Sequence, residues 1–139
     1  MDLRHLPNLH IFAIHAIIKC DAQEHVVLRD IDFVLSTIPI ANQVTELSLD
    51  FTICGEHPFD GCLEEDWAGM CDEVVRISAG KALQLDLEML FVHNPANFQY
   101  PPPIARRDEL YKCIKEMMAS LSDYPNICTH WPSSFSHMT

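Results

Sequence analysis

Two cysteines and a histidine fall within nine residues of the stretch CGEHPFDGCLEEDW, positions 54–67, and a further cysteine follows at position 71. Thiolate sulfur and imidazole nitrogen are the ligands that tetrahedral zinc prefers, so Cys54, His57, Cys62 and Cys71 make up a candidate set of four. The set lacks a CxxC pair, and buried cysteine also serves as a small hydrophobe. On that second reading Cys54 ends a strand, Cys71 packs in the apolar stripe of a helix, and His57, before Pro58, belongs to a loop. The expectation is therefore no metal and no cofactor, with zinc at these four residues as the minority alternative. The same residues permit a cysteine nucleophile with a histidine base. That chemistry also needs an orienting group and oxyanion donors. The acids Glu56, Asp60, Glu64, Glu65 and Asp66 would hold a nearby thiol protonated, where a nucleophile needs the thiolate. No enzyme is expected; a small metal-binding or cysteine-dependent enzyme domain centred on the 54–62 loop is the alternative.

Other chemistry is set aside on residue type and spacing. The glycines, Gly55, Gly61, Gly69 and Gly80, make no phosphate-cradling loop, and no GxGxxG, GxSxG or Walker pattern occurs, which disfavours nucleotide chemistry. Glu64, Glu65 and Asp66 would suit a divalent cation, yet they open a helical stretch, where carboxylates complement the N-terminal dipole. His15 and His93 fall within or just after apolar strands and are read as satisfied buried or strand-end histidines. Nine Lys and Arg against twenty Asp and Glu give a formal charge of −11, so neither nucleic acid nor an anionic membrane is an expected partner.

The elements that must position these residues come from periodicity. A chain of 139 residues with 48% hydrophobic content is the size of one domain with a real core. Three stretches share an apolar spacing of three, then two: Leu9, Phe12, Ile14; Val44, Leu47, Leu49; and Ala82, Leu85, Leu87. Their first members lie 35 and 38 residues apart, which marks repeated units. YPNICTHW echoes the Pro-Asn-apolar start of LPNLHIFA and offers a doubtful fourth strand. Alternation places Leu47, Leu49 and Phe51 on one face and Glu46, Ser48 and Asp50 on the other, with Asp86 and Glu88 joining the second set. The apolar run Ile11 to Ile18 is too short to span a bilayer and reads as a buried strand.

Helical patterns separate the strands. Trp67, Met70, Cys71, Val74, Val75 and Ser78 form an apolar stripe in a helix that begins near Glu64 or Glu65 and stops at Gly80. Leu110, Tyr111, Ile114, Met117, Met118 and Leu121 form another, with Asp108 as N-cap. DIDFVLSTIP is a shorter helix capped by Asp30 and ended before Pro39. The expected architecture is α/β, parallel strands alternating with helices. Two long loops, one after the second strand and a proline-rich one after the third, meet at the strands' C-terminal end.

LPNLHIFAI, VTELSLDF and LQLDLEML, set in units of about 35 to 40 residues, together with HPFDGCLEEDWAGMCDEVVRISAGKALQLDLEM and DELYKCIKEMMASLSDYPNICTHW, resemble the C-terminal leucine-rich-repeat-like region of F-box proteins of mushroom-forming fungi. The resemblance implies an irregular α/β solenoid fragment and substrate recruitment to a ubiquitin ligase. The F-box, the helical module that binds the ligase adaptor in that family, is not recognisable here, and the strict repeat consensus with its buried asparagine is absent. A solenoid fragment without a polar N-terminal cap exposes an apolar end, which the rest of a longer array or a second chain would cover.

These readings converge on a single leucine-rich-repeat-like domain, residues 1–139, acting as a protein-interaction module. Glu56, Asp60, Asp86 and Glu88 would offer negative charge, and Phe59, Phe98 and Tyr100 apolar anchors. The expected partner is a basic or amphipathic protein, with self-association through an uncapped repeat end as a further possibility. No secretion signal or regular cysteine framework marks the chain, so a cytoplasmic or nuclear location is expected.

Overall fold

The computed structural model describes residues 3, 4, 6, 8–20, 24–55, 60–93 and 104–131. Period-two apolar alternation makes four parallel strands: β1 (Ile11–Lys19), β2 (Glu46–Gly55), β3 (Leu83–His93) and β4 (Ile127–His130). Three helices connect them: α1 (Val27–Ser36), α2 (Trp67–Ser78) and α3 (Ile104–Met117). Single 3-10 turns at Asp60–Glu64 and Ala119–Asp123 complete the order. The doubtful fourth strand is real, and it pairs with β3 from Leu83↔Ile127 to Asp86↔His130.

Strand order follows chain order, β1-β2-β3-β4. Crossovers between parallel strands keep one hand, so successive units that never reverse direction stack their helices on one face of the sheet. Among the described strands there is no topological switch point, and hence none of the crevice in which doubly wound sheets bind ligands. The register aligns the repeated units residue for residue, with Phe12, Leu47 and Leu85 abreast and Ile14, Leu49 and Leu87 abreast.

The core lies between the sheet and the helices. Leu47, Leu49, Phe51 and Ile53 of β2 and Leu85, Leu87, Met89 and Phe91 of β3 face Leu28, Ile31 and Leu35 of α1 and Met70, Val74 and Ile77 of α2. Leu110 and Ile114 of α3 and the following Met118 extend the layer. Trp67 anchors it, meeting Phe51 edge-on at 5.3 Å while its Nε1 donates to the Cys62 carbonyl at 2.9 Å. That bond lets the indole be buried without leaving its N–H unsatisfied. Gly61 lies against the chain leaving β1, where a Cβ would fall on the Cys20 carbonyl.

Several element ends differ from the sequence reading. Asp30 does not cap α1; it lies inside the first turn, and the N-cap residue, Val26, makes no side-chain bond. Glu65 supplies the missing acceptor from the next unit, its Oε1 taking the Leu28 N–H at 2.8 Å. Arg76 of α2 closes the other end, donating to the Leu35 and Ile38 carbonyls at 2.8 Å each. An anion at the N-terminus and a cation at the C-terminus both complement the α1 dipole, so α1 is clamped by its neighbour. Of the three acids, only Asp66 caps α2, accepting from the Gly69 N–H at 2.9 Å. The 3-10 turn takes Glu64, and α2 starts at Trp67. The left-handed stop begins at Ala79, one residue before Gly80.

Asp108 is likewise no cap, since α3 already runs from Ile104. Met117 is exposed rather than part of the stripe. The β1 strand is buried on its helix-side face only, and on the open face Ile11 is 60% exposed and Ile17 52%.

Candidate functional site

The face of the sheet turned away from the helices carries the polar chemistry of the chain. Register and alternation set its side chains in rows across the strands. One row runs Ile11, Glu46, Gln84, Cys128; the next Ala13, Ser48, Asp86, His130; the third His15, Asp50, Glu88; then Ile17, Thr52, Leu90; and last Lys19, Cys54, Val92. Glu46, Asp50, Asp86 and Glu88 give four carboxylates against one lysine among these described strand residues. Their side chains are half-buried or exposed, in contrast to the fully buried positions between them.

Two carboxylate–imidazole pairs organise the face. His15 Nδ1 lies 3.1 Å from Asp50 Oδ2, and His15 Nε2 lies 3.2 Å from Thr52 Oγ1. On the other side His130 Nδ1 lies 2.7 Å from Asp86 Oδ1, and His130 Nε2 lies 3.3 Å from Cys128 Sγ. An ionised carboxylate only accepts, so Nδ1 carries the proton in both rings. In the neutral ring Nε2 then accepts, from the Thr52 hydroxyl in one pair and the Cys128 thiol in the other. Gln84 Nε2 donates to both Asp86 oxygens, at 3.2 and 3.1 Å.

Of the residues singled out from sequence, Asp86 and Glu88 are brought together on this face, beside Ser48 and Asp50. Glu56, Phe59, Phe98 and Tyr100 lie outside the described residues. Asp60 opens the 3-10 turn before α2, and the orientation of its side chain is likewise outside them. Of the four candidate zinc ligands, the three described do not gather. Alternation puts Cys54 on the open face, whereas Cys62 and Cys71 are buried in the helix-side core, and His57 lies outside the described residues. Burial pushes the Cys71 thiol up to about 12, with a smaller contribution from the carboxylates nearby, so it is held neutral. Among the described residues no group of three His, Cys, Asp or Glu side chains is placed to hold a metal ion.

His15 is satisfied, as expected, but exposed rather than buried. The sequence reading missed His130 and Cys128 as members of the face. The repeat spacing contains the signal for His15, Asp50 and Glu88, each three residues past the apolar position of its unit.

Two further features lie off this face. Between α1 and α2, desolvation pushes the Asp32 carboxyl up to about 7, and Asp66, Glu73 and Asp72 add repulsion. Its Oδ1 finds no hydrogen-bond partner among the described residues. Beyond β4 a groove of about 500 Å³ is lined by Lys115, Leu121, Tyr124, Ile127 and Trp131. The Lys115 ammonium lies 5.9 Å from the Tyr111 ring and 5.3 Å from that of Trp131, within cation–π range.

Comparison with family models, curated proteins and solved structures finds no match for this chain. Among the described residues no helix is long and apolar enough to cross a membrane.

Proposed function

We propose that the chain is a protein-interaction module, an irregular leucine-rich-repeat-like solenoid fragment that recognises a basic or amphipathic partner through the open face of its sheet. The observation that carries this reading is the open face itself, which no described element covers, with Glu46, Asp50, Asp86 and Glu88 in adjacent rows. Solenoid arrays bind on extended sheet surfaces of this kind, and a one-signed field attracts a partner of opposite charge. The Asp50 and Asp86 carboxylates are held in place by His15 and His130, which reduces the side-chain ordering that binding requires.

The apolar groove at the first edge of the sheet, lined by Ile14, Ile17, Val27 and Val34, favours a neighbour there, either a preceding unit of a longer array or a second copy. The role of a substrate-recruiting region in an F-box type ubiquitin ligase rests on the resemblance of the repeat segments.

The test is a set of captures from intracellular extract with wild type, an open-face variant (Asp50→Lys with Glu88→Lys) and a helix-side control (Glu116→Lys). A partner bound by wild type and the control, lost in the open-face variant and released by salt supports the reading. Equal capture by all three refutes it. Ligase recruitment is tested separately, by fusing the chain to an adaptor-binding F-box and measuring the turnover of that partner in cells.

A further inference from the structure

Cys128, with His130 and Asp86 beside it, brings to the open face a thiol that partner recognition does not use. On β4, Cys128 and His130 are two residues apart and therefore share the open face, and β3 sets Asp86 directly beside His130. The order of contacts is Gln84 to Asp86, Asp86 to His130 at 2.7 Å, and His130 to Cys128 at 3.3 Å. A nucleophile, a base within reach and a carboxylate that orients the base are the components of an activated thiol. The thiol is accessible, since Cys128 is exposed while Cys62 and Cys71 are buried.

We propose that Cys128 is a nucleophilic thiol, with His130 as its base and Asp86 as the positioning residue, and that it exchanges with low-molecular-weight disulfides of the glutathione class. Acyl transfer is not the chemistry of this place. The backbone N–H groups of a sheet point along the ladders rather than out of the face, so they cannot form an oxyanion hole for a tetrahedral intermediate. Thiol–disulfide exchange has no such requirement, because the developing charge stays on sulfur.

The step balances without a further oxidant. His130 Nε2 takes the Cys128 proton, the thiolate attacks one sulfur of the disulfide, a protein–ligand S–S bond forms and the original S–S bond breaks. The departing thiolate then takes the proton from His130, so one thiol and one disulfide replace one thiol and one disulfide. The adduct would stand in the row of Glu46 and Gln84 and add bulk and carboxylates to the open face. The exchange itself is independent of the recognition reading; only the resulting block of a basic partner rests on it.

The experiment incubates the purified chain with oxidised glutathione at pH 7 and follows each cysteine by peptide mass spectrometry. Expected is a mixed disulfide formed first at Cys128, about tenfold or more faster in the folded chain than in the same chain unfolded in urea. His130→Ala removes that advantage and Asp86→Asn reduces it, both without change in the circular dichroism spectrum. Cys128 reacting no faster folded than unfolded, or equally fast in His130→Ala, overturns the proposal.

Discussion

Replacing Glu65 tests the claim that α1 is capped from outside its own segment. The carboxylate is almost fully buried and accepts the Leu28 N–H at 2.8 Å. Leu28 is itself fully buried, so in Glu65→Ala that N–H has no water to replace its partner. A hydrogen bond to a charged acceptor contributes about 1.5–3 kcal/mol, and a partly buried charge at a helix terminus up to about 2 kcal/mol more. These overlap, because both concern the same anion, and we expect a loss of about 3 kcal/mol. Glu65→Gln keeps an oxygen acceptor and loses the charge, so it should cost about 1 kcal/mol. With a urea m-value of about 1–3 kcal/mol per M, the alanine variant should unfold at a midpoint lower by at least about 1 M. Amide exchange locates the damage: protection should fall first at Leu28 and the next amides of α1, whereas Asp66→Ala should expose Gly69 in α2. An alanine variant within about 0.5 kcal/mol of wild type, the scatter of ordinary surface substitutions, would refute the reasoning. So would loss of protection confined to α2.

Other outcomes follow from particular residues. Asp32 keeps its proton to about pH 7 in the folded chain, against an ordinary value of 3.8. The folded state thus binds more protons between these values, and stability falls as pH rises through that window. Asp32→Asn should gain about 1–2 kcal/mol at pH 8, discounted for the half-exposed position, and nothing below pH 4; urea curves that shift equally at both would contradict it. Gly61→Ala should lose about 2–3 kcal/mol through overlap with the Cys20 backbone, read as a lower thermal midpoint. Asn42 Nδ2 donates to the Pro39 and Ile77 carbonyls, and its Oδ1 accepts from Val44 N and Lys81 Nζ. Asn42→Ala should cost about 1–3 kcal/mol, and an unchanged urea midpoint would show that water replaces those bonds.

The repeat spacing was legible because each unit meets the same demand: a half-buried strand needs apolar residues at every second position. Phe12, Leu47 and Leu85, aligned by that spacing alone, stand abreast in the sheet. YPNICTHW was harder to align. Matching its Pro-Asn to that of LPNLHIFA pairs His130 with Phe12, a core position, whereas the register pairs Phe12, Leu47 and Leu85 with Thr129. A shift of one residue turns every side chain to the opposite face, and that slip hid His130 and Cys128. The metal reading of the 54–71 stretch drew on closeness in sequence, but Cys54 and the Cys62–Cys71 pair are divided between the two faces of the sheet.

What the sequence by itself determined are the properties set by local periodicity: the strands, the apolar stripes of α2 and α3, and the side of the sheet on which Glu46, Ser48, Asp50, Asp86 and Glu88 stand. What only the tertiary structure decided are the partnerships between units. Glu65 was assigned to the helix beside it in the chain but caps the preceding one, and Arg76 closes the far end of the same helix. Asp86 finds His130, and His130 finds Cys128, only because β4 pairs with β3 in one particular register. Periodicity constrains which way a side chain points, since that depends on its own backbone. Which group it meets depends on the stacking of segments some 35 to 45 residues apart, and no local pattern specifies that.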